Sequence, residues 1–133
     1  MKTKLIILSL FLCAILACSS DDDSGTTSQT GTVKFEVIVS QNRDADIITL
    51  IDSNSETTTN PAFPFTKIYS DASIATGTTL QLSFTDTTNA PNGATFSYDL
   101  ELKISVDNVV VKSQTFAVDE TNTTGLSITH IIP

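Results

Sequence analysis

The stretch "ATFSYDLELKISV", residues 94–106, constrains the fold more than any other part of the chain. Phe96, Tyr98, Leu100, Leu102, Ile104 and Val106 fall on one face, and Thr95, Ser97, Asp99, Glu101, Lys103 and Ser105 on the other. A period of two held this long describes a half-buried β-strand. A slip of one residue would turn Asp99, Glu101 and Lys103 inward together. Because side chains alternate strictly, register is set by which face is buried, and each unpaired buried charge costs several kcal/mol. A strand with one apolar face needs a sheet around it and a second apolar layer against it.

The remaining segments supply that layer. "VKFEVIVS" alternates through Val33, Phe35, Val37 and Val39, and "TLQLSFTD" through Leu80, Leu82 and Phe84. "DIITLID" is a short apolar run bounded by Asp46 and Asp52, and "GLSITHIIP" reads as a last strand. Asp107-Asn108 separates two β-branched runs. Both residue types tolerate positive φ, so a two-residue type I′ hairpin returning into "VVVKSQTF" is expected. "SNSETTTNP" has no hydrophobe and reads as a loop, and "TTNAPNG" as a turn cluster. Pro61 and Pro64 restrict "AFPFTKIYS" to an edge or irregular strand. About seven strands in a domain of this length predict an all-β, two-sheet antiparallel sandwich.

The N-terminus reads differently. Lys2 and Lys4 precede an apolar run from Leu5 to Ala17. A membrane-spanning helix needs about 20 apolar residues, so this run reads as the core of a signal peptide. It ends in Ile15-Leu16-Ala17-Cys18, which resembles the bacterial lipobox. That resemblance implies cleavage before Cys18 and acylation of its thiol. One acyl chain anchors marginally, whereas two or three hold firmly without a spanning helix. Cys13 would leave with residues 1–17, so the mature chain keeps no cysteine for a disulfide, thiolate nucleophile or metal site. Ser19, Ser20, Asp21, Asp22 and Asp23 follow the acylated position. The string resembles the export signal of Bacteroidota-type surface lipoproteins, which implies outer-membrane attachment facing the cell exterior.

Residues 18–31 then read as the acylated cysteine and an acidic tether without large apolar side chains, which cannot offset chain entropy by burial. Such a coil spans on the order of 20 Å. Residues 32–133 remain for the sandwich domain. Loss of Lys2 and Lys4 leaves five basic against fifteen acidic side chains, a net charge of −10. Nucleic acid is a poor partner for that balance.

The order of strands, with a Thr-rich loop leading into Pro64-Phe65-Thr66-Lys67 and a late Val106-Asp107-Asn108-Val109-Val110 hairpin, resembles the extracytoplasmic domain of the mycobacterial membrane protein small family, MmpS. The resemblance implies an immunoglobulin-like sandwich and a role as accessory to an RND-type exporter. The chain departs from that family in having no tryptophan, no cysteine pair in the domain and a lipid anchor in place of a transmembrane helix.

Candidate sites are sparse. Phe63, Phe65 and Tyr69 are a candidate ligand surface beside an edge strand. Asn42, Asp44 and Asp46 form one acidic loop and Asp119, Glu120, Thr121 and Asn122 another, without the glycine and late glutamate of a calcium-binding EF-hand loop. His130, the only histidine, has no serine or carboxylate at triad spacing. Asp86-Thr87-Thr88 resembles an O-glycosylation signal of Bacteroidota-type exported proteins, and Asn122-Thr123-Thr124 is formally an N-glycosylation sequon. No catalytic, metal or cofactor motif is expected. The function expected is a lipid-anchored, non-catalytic binding or accessory module with a protein partner in the envelope. The alternative is a carrier of a small lipid or glycan.

Overall fold

The apolar face expected over residues 94–106 finds its partner layer in a second sheet, although the strand itself begins only at Ser97. The computed structural model describes residues 29–133. Its strands are β1 (Thr30–Val39), β2 (Ala45–Ile51), β3 (Asn54–Thr59), β4 (Phe65–Ser73), β5 (Thr79–Asp86), β6 (Ser97–Val106), β7 (Val109–Asp119) and β8 (Leu126–Ile131). All pairings are antiparallel. They build two four-stranded sheets, in the orders β4-β1-β6-β7 and β3-β2-β5-β8. The protein is an all-β two-sheet sandwich.

The inward residues follow the period of two. Tyr98, Leu100, Leu102 and Ile104 of β6 are buried, with Val33, Phe35 and Val37 of β1 beside them. Ile47, Leu80, Leu82, Phe84 and Ile128 face them from the second sheet. β1 lies between β4 and β6, with Val37 opposite both Phe65 and Leu102. Phe96 is half-buried and lies just before β6 begins. The β6–β7 hairpin turns on Asp107 and Asn108 at φ 48° and 67°, the positive values that a type I′ turn demands at both positions.

Three features differ from the expectations. "SNSETTTNP" is not a loop, because residues 54–59 form β3 and raise the strand count to eight. β3 is an edge strand with five of its six residues exposed. It is held by backbone pairing to β2 and by β-branched Thr57, Thr58 and Thr59, so it needs no hydrophobe. Asp52, at φ 59°, makes the tight turn into it. The second difference is at the start. Thr30 and Gly31 belong to β1, two residues before the expected domain boundary, and Ile74 donates its N–H to the Gln29 carbonyl at 2.9 Å. A Cβ on Gly31 would meet the ends of the Ile74 and Asp107 side chains, with Asp107 Oδ1 at 2.9 Å, so both side chains would have to shift to admit a larger residue. The signal peptide, Cys18 and Ser19 to Asp23 lie outside the described residues. Third, Phe65 is 8% exposed and belongs to the core, because its strand position turns it inward opposite Val37.

The chain's two tyrosines tie the sheets together. Tyr69 on β4 packs edge-on against Phe35, and its hydroxyl donates to Glu56 Oε2 on β3 at 3.0 Å and lies 2.6 Å from Thr49 Oγ1 on β2. Lys67 completes this edge with an ion pair to Glu56. Tyr98 on β6 donates to Asp86 at the end of β5.

The two ends of the sandwich are unlike. The chain enters at Thr30, at the end closed by the two-residue turns at 52–53 and 107–108. The opposite end, called distal below, carries the connections 40–44, 60–64, 87–96 and 120–125. β1 runs from one end to the other, about 33 Å at the usual strand rise.

Candidate functional site

Three distal connections are stitched together around Arg43, the only arginine. Asp44 N–H donates to Thr88 Oγ1 at 2.9 Å, Thr87 N–H to the Asp44 carbonyl at 2.9 Å, and Asp86 N–H to the Thr123 carbonyl at 2.9 Å. Gln41 Nε2 reaches the Ser97 carbonyl at 2.9 Å. In the longest connection Ala94 N–H donates to the Pro91 carbonyl at 3.0 Å, closing a turn with Gly93 at φ 80°. The expected turn cluster is anchored at Thr88, closes on this turn and forms one wall of a cleft.

Inside this ring lies a buried ion pair. The Asp86 carboxylate is 2% exposed and the Arg43 side chain 10%. Arg43 Nε donates to Asp86 Oδ2 at 2.8 Å, Nη2 lies 2.8 Å from the same oxygen, and the Tyr98 hydroxyl donates to it at 2.7 Å. Oδ1 accepts Thr88 N–H at 2.8 Å. The Arg43 guanidinium lies over the Phe96 ring at 4.2 Å and the Tyr98 ring at 5.1 Å. Partial exclusion of water strengthens such charge–aromatic contacts. Burial alone would raise the Asp86 pKa, but bonds from Tyr98, Thr88 and Arg43 outweigh it and hold the carboxyl below its ordinary value. Burial, then the hydrogen bond to Asp86, pushes the Tyr98 phenol well up, so it stays protonated as the donor.

A pH dependence follows. A carboxyl whose folded pKa is depressed stabilises the fold above its unfolded pKa and loses that contribution as pH falls through the folded value. Stability at neutral pH should therefore hold down to about pH 4 and fall below it. Glu56, held down by Lys67 and then Tyr69, and Asp119, held down by Thr121, act in the same sense. Urea unfolding between pH 2 and pH 7 checks this. Asp86→Asn should lower the plateau and flatten the acid limb, and an unchanged limb would remove Asp86 as its main source.

Over the ion pair opens a cleft of about 440 Å³, lined by Arg43, Asp86, residues 88–94, Phe96, Glu120 and Thr123. Glu120 is exposed, and among the described residues its side chain makes one hydrogen bond, a long contact of 3.4 Å from Phe96 N–H to Oε2. A smaller cavity of about 270 Å³ lies beside it at the distal end, between Ile38–Asn42 and Phe63–Pro64.

The candidate ligand surface is not one surface. Phe65 is core. Phe63 packs against Phe84 at 6.3 Å and lines the smaller cavity, whereas Tyr69 is spent on the sheet-to-sheet tie. Of the two acidic loops, Asp44 contributes backbone groups that brace the ring, and Asp119 accepts from Thr121 N–H and Oγ1 at 2.9 and 2.6 Å. Asn122 is tied to Asp119 N–H and the Ala117 carbonyl. Among the described residues no group of three or more His, Cys, Asp or Glu side chains converges as a metal site. His130 is half-buried on β8 opposite Leu80. Thr87 is exposed beside the buried Asp86 carboxylate. Sequence reasoning missed the set Arg43, Asp86, Phe96 and Tyr98. A lone arginine between two strands was the one signal available. No family model, no curated protein and no solved structure matches this chain.

Proposed function

We propose that this chain is a lipid-anchored, non-catalytic binding module of the cell envelope, carried on the outer membrane and facing outward. What supports the reading is topology. The segment that leads back to Cys18 joins the domain at one end, and the long connections with the larger cleft lie at the other. A tether at Thr30 leaves the distal loops free to meet a partner, and binding residues concentrate on loops held by a rigid scaffold. The buried charge of the cleft points the same way: Asp86 is already committed to Arg43, Tyr98 and Thr88, which leaves Glu120 as a single exposed carboxylate there and not the pair that glycoside hydrolysis uses. Proton transfer would need a carboxyl with a free lone pair facing a substrate.

Mass spectrometry of the membrane fraction should find lipid on Cys18, and Cys18→Ala should release the protein from the membrane. Replacing Asp21, Asp22 and Asp23 by alanine should remove accessibility to external protease while acylation persists. Membrane retention of the Cys18→Ala protein would overturn the anchor. Crosslinking on intact cells from a photoreactive residue at position 92 should capture an envelope protein, and recovery of an RND-type exporter component would support the accessory role. The second reading, a carrier of a small ligand, is favoured by the larger cleft. The smaller cavity, at about 270 Å³, falls under the roughly 300–1,000 Å³ usual for ligand pockets.

A further inference from the structure

We propose that the distal cleft binds a neutral sugar ring, an inference that rests on the reading of this protein as a binding module. Charge narrows the ligand first. Arg43 is the one cationic side chain on the cleft wall. Its charge is matched by Asp86 at 2.8 Å, and its face is covered by Phe96 at 4.2 Å. No free cation is left for a phosphate, sulfate or carboxylate ligand, and Glu120 would repel one. A cationic ligand would find one exposed carboxylate, and exposed ion pairs contribute little. A metal ion needs more ligands than Glu120 offers, and among the described residues no such group converges.

The rest of the wall describes what does fit. Asn89 and Asn92 present carboxamides, each able to donate and accept. Glu120 presents a carboxylate whose two oxygens accept from neighbouring hydroxyls. Pro91 and Phe96 add apolar surface between these polar groups. A lipid tail would leave the carboxamides and carboxylate desolvated without partners, at a cost in free energy. A sugar ring offers hydroxyls to the polar groups and C–H faces to the apolar ones. The cleft, at about 440 Å³, lies within the range of small-ligand sites. Backbone bonds at Asp44, Thr87, Asp86 and Ala94 hold the wall in place before binding, which reduces the ordering cost of association.

The test uses the full acylated protein in a non-sugar detergent, titrated with methyl glucoside, methyl galactoside and methyl mannoside. Glucuronate and glucosamine serve as charged counterparts, and amide chemical shifts are read by NMR. At least one neutral glycoside should shift residues 89–94 and 120 in a saturable curve at millimolar concentration. Glu120→Gln and Asn92→Ala should each weaken it by about tenfold, the loss of one good hydrogen bond, whereas Thr57→Ala on β3 should not. Both cleft substitutions are at exposed positions, so an unchanged melting curve will show that the fold is intact. Binding of the charged sugars alone, no response to any neutral glycoside, or equal binding by the Glu120→Gln protein would each overturn the proposal. Capture of an envelope protein from position 92 without a sugar response would overturn the sugar and keep the binding module, while failure of both would remove both.

Discussion

Asp86→Ala is expected to destabilise the protein by about 3–5 kcal/mol, because removing one partner of a buried ion pair strands the other charge. Arg43 would keep its positive charge at 10% side-chain exposure with no carboxylate beside it. The Tyr98 hydroxyl and Thr88 N–H would lose their acceptor as well. Tyr98→Phe removes a single bond to a charged group and should cost less, about 1.5–3 kcal/mol. Replacing both charges, as Arg43→Met with Asp86→Leu, should recover much of the Asp86→Ala loss, since an apolar pair of similar volume carries no desolvation cost. Urea denaturation at pH 7 reads all of these. A cost under about 1 kcal/mol for Asp86→Ala would mean that the pair behaves as a solvated surface pair. The ion pair would then not be what closes the distal end.

Leu102→Ala is the second large effect, at about 2–5 kcal/mol for a large-to-small change in a packed core. Leu102 is fully buried, paired to Val37 on β1 and Gln114 on β7. The domain's total stability is on the order of 5–15 kcal/mol, so this one cavity could consume a large share of it. Each kcal/mol lowers the melting temperature of a domain this size by about 4–8 °C. Val110→Ala on β7, where Val110 is 52% exposed, is the matched control and should stay within about 0.5 kcal/mol. Equal melting temperatures for the Leu102→Ala and unmodified proteins would contradict the packing of β6 between β1 and β7.

The two substitutions differ in how far each could be read beforehand. Leu102 was legible from its neighbours, because Leu100, Ile104 and the intervening charges mark its face within a few residues. Asp86 was not. It closes a strand in "TLQLSFTD" and looks like any polar residue at a turn. Its partners Arg43 and Tyr98 lie 43 and 12 residues away. β3 escaped for the opposite reason: an edge strand held by backbone pairing carries no apolar pattern to read. Phe65 was left between core and ligand surface because an aromatic residue near two prolines looks the same whether its strand turns it inward or outward, and only the pairing with Val37 decides.

What the sequence by itself determined is therefore the set of properties encoded between near neighbours: the strands with one apolar face, the Asp107-Asn108 turn, the register of β6 and the all-β class. Steric preference and alternation act over a few residues, so they survive without knowledge of the rest. Only the tertiary structure decided that β1 lies between β4 and β6, that the long connections gather at the end away from Thr30, and that Arg43, Asp86, Phe96 and Tyr98 share one site. The buried ion pair forms where the connection into β2 meets the end of β5, with Tyr98 reaching Asp86 from the other sheet, and that meeting depends on the path of the whole chain, which no local period records.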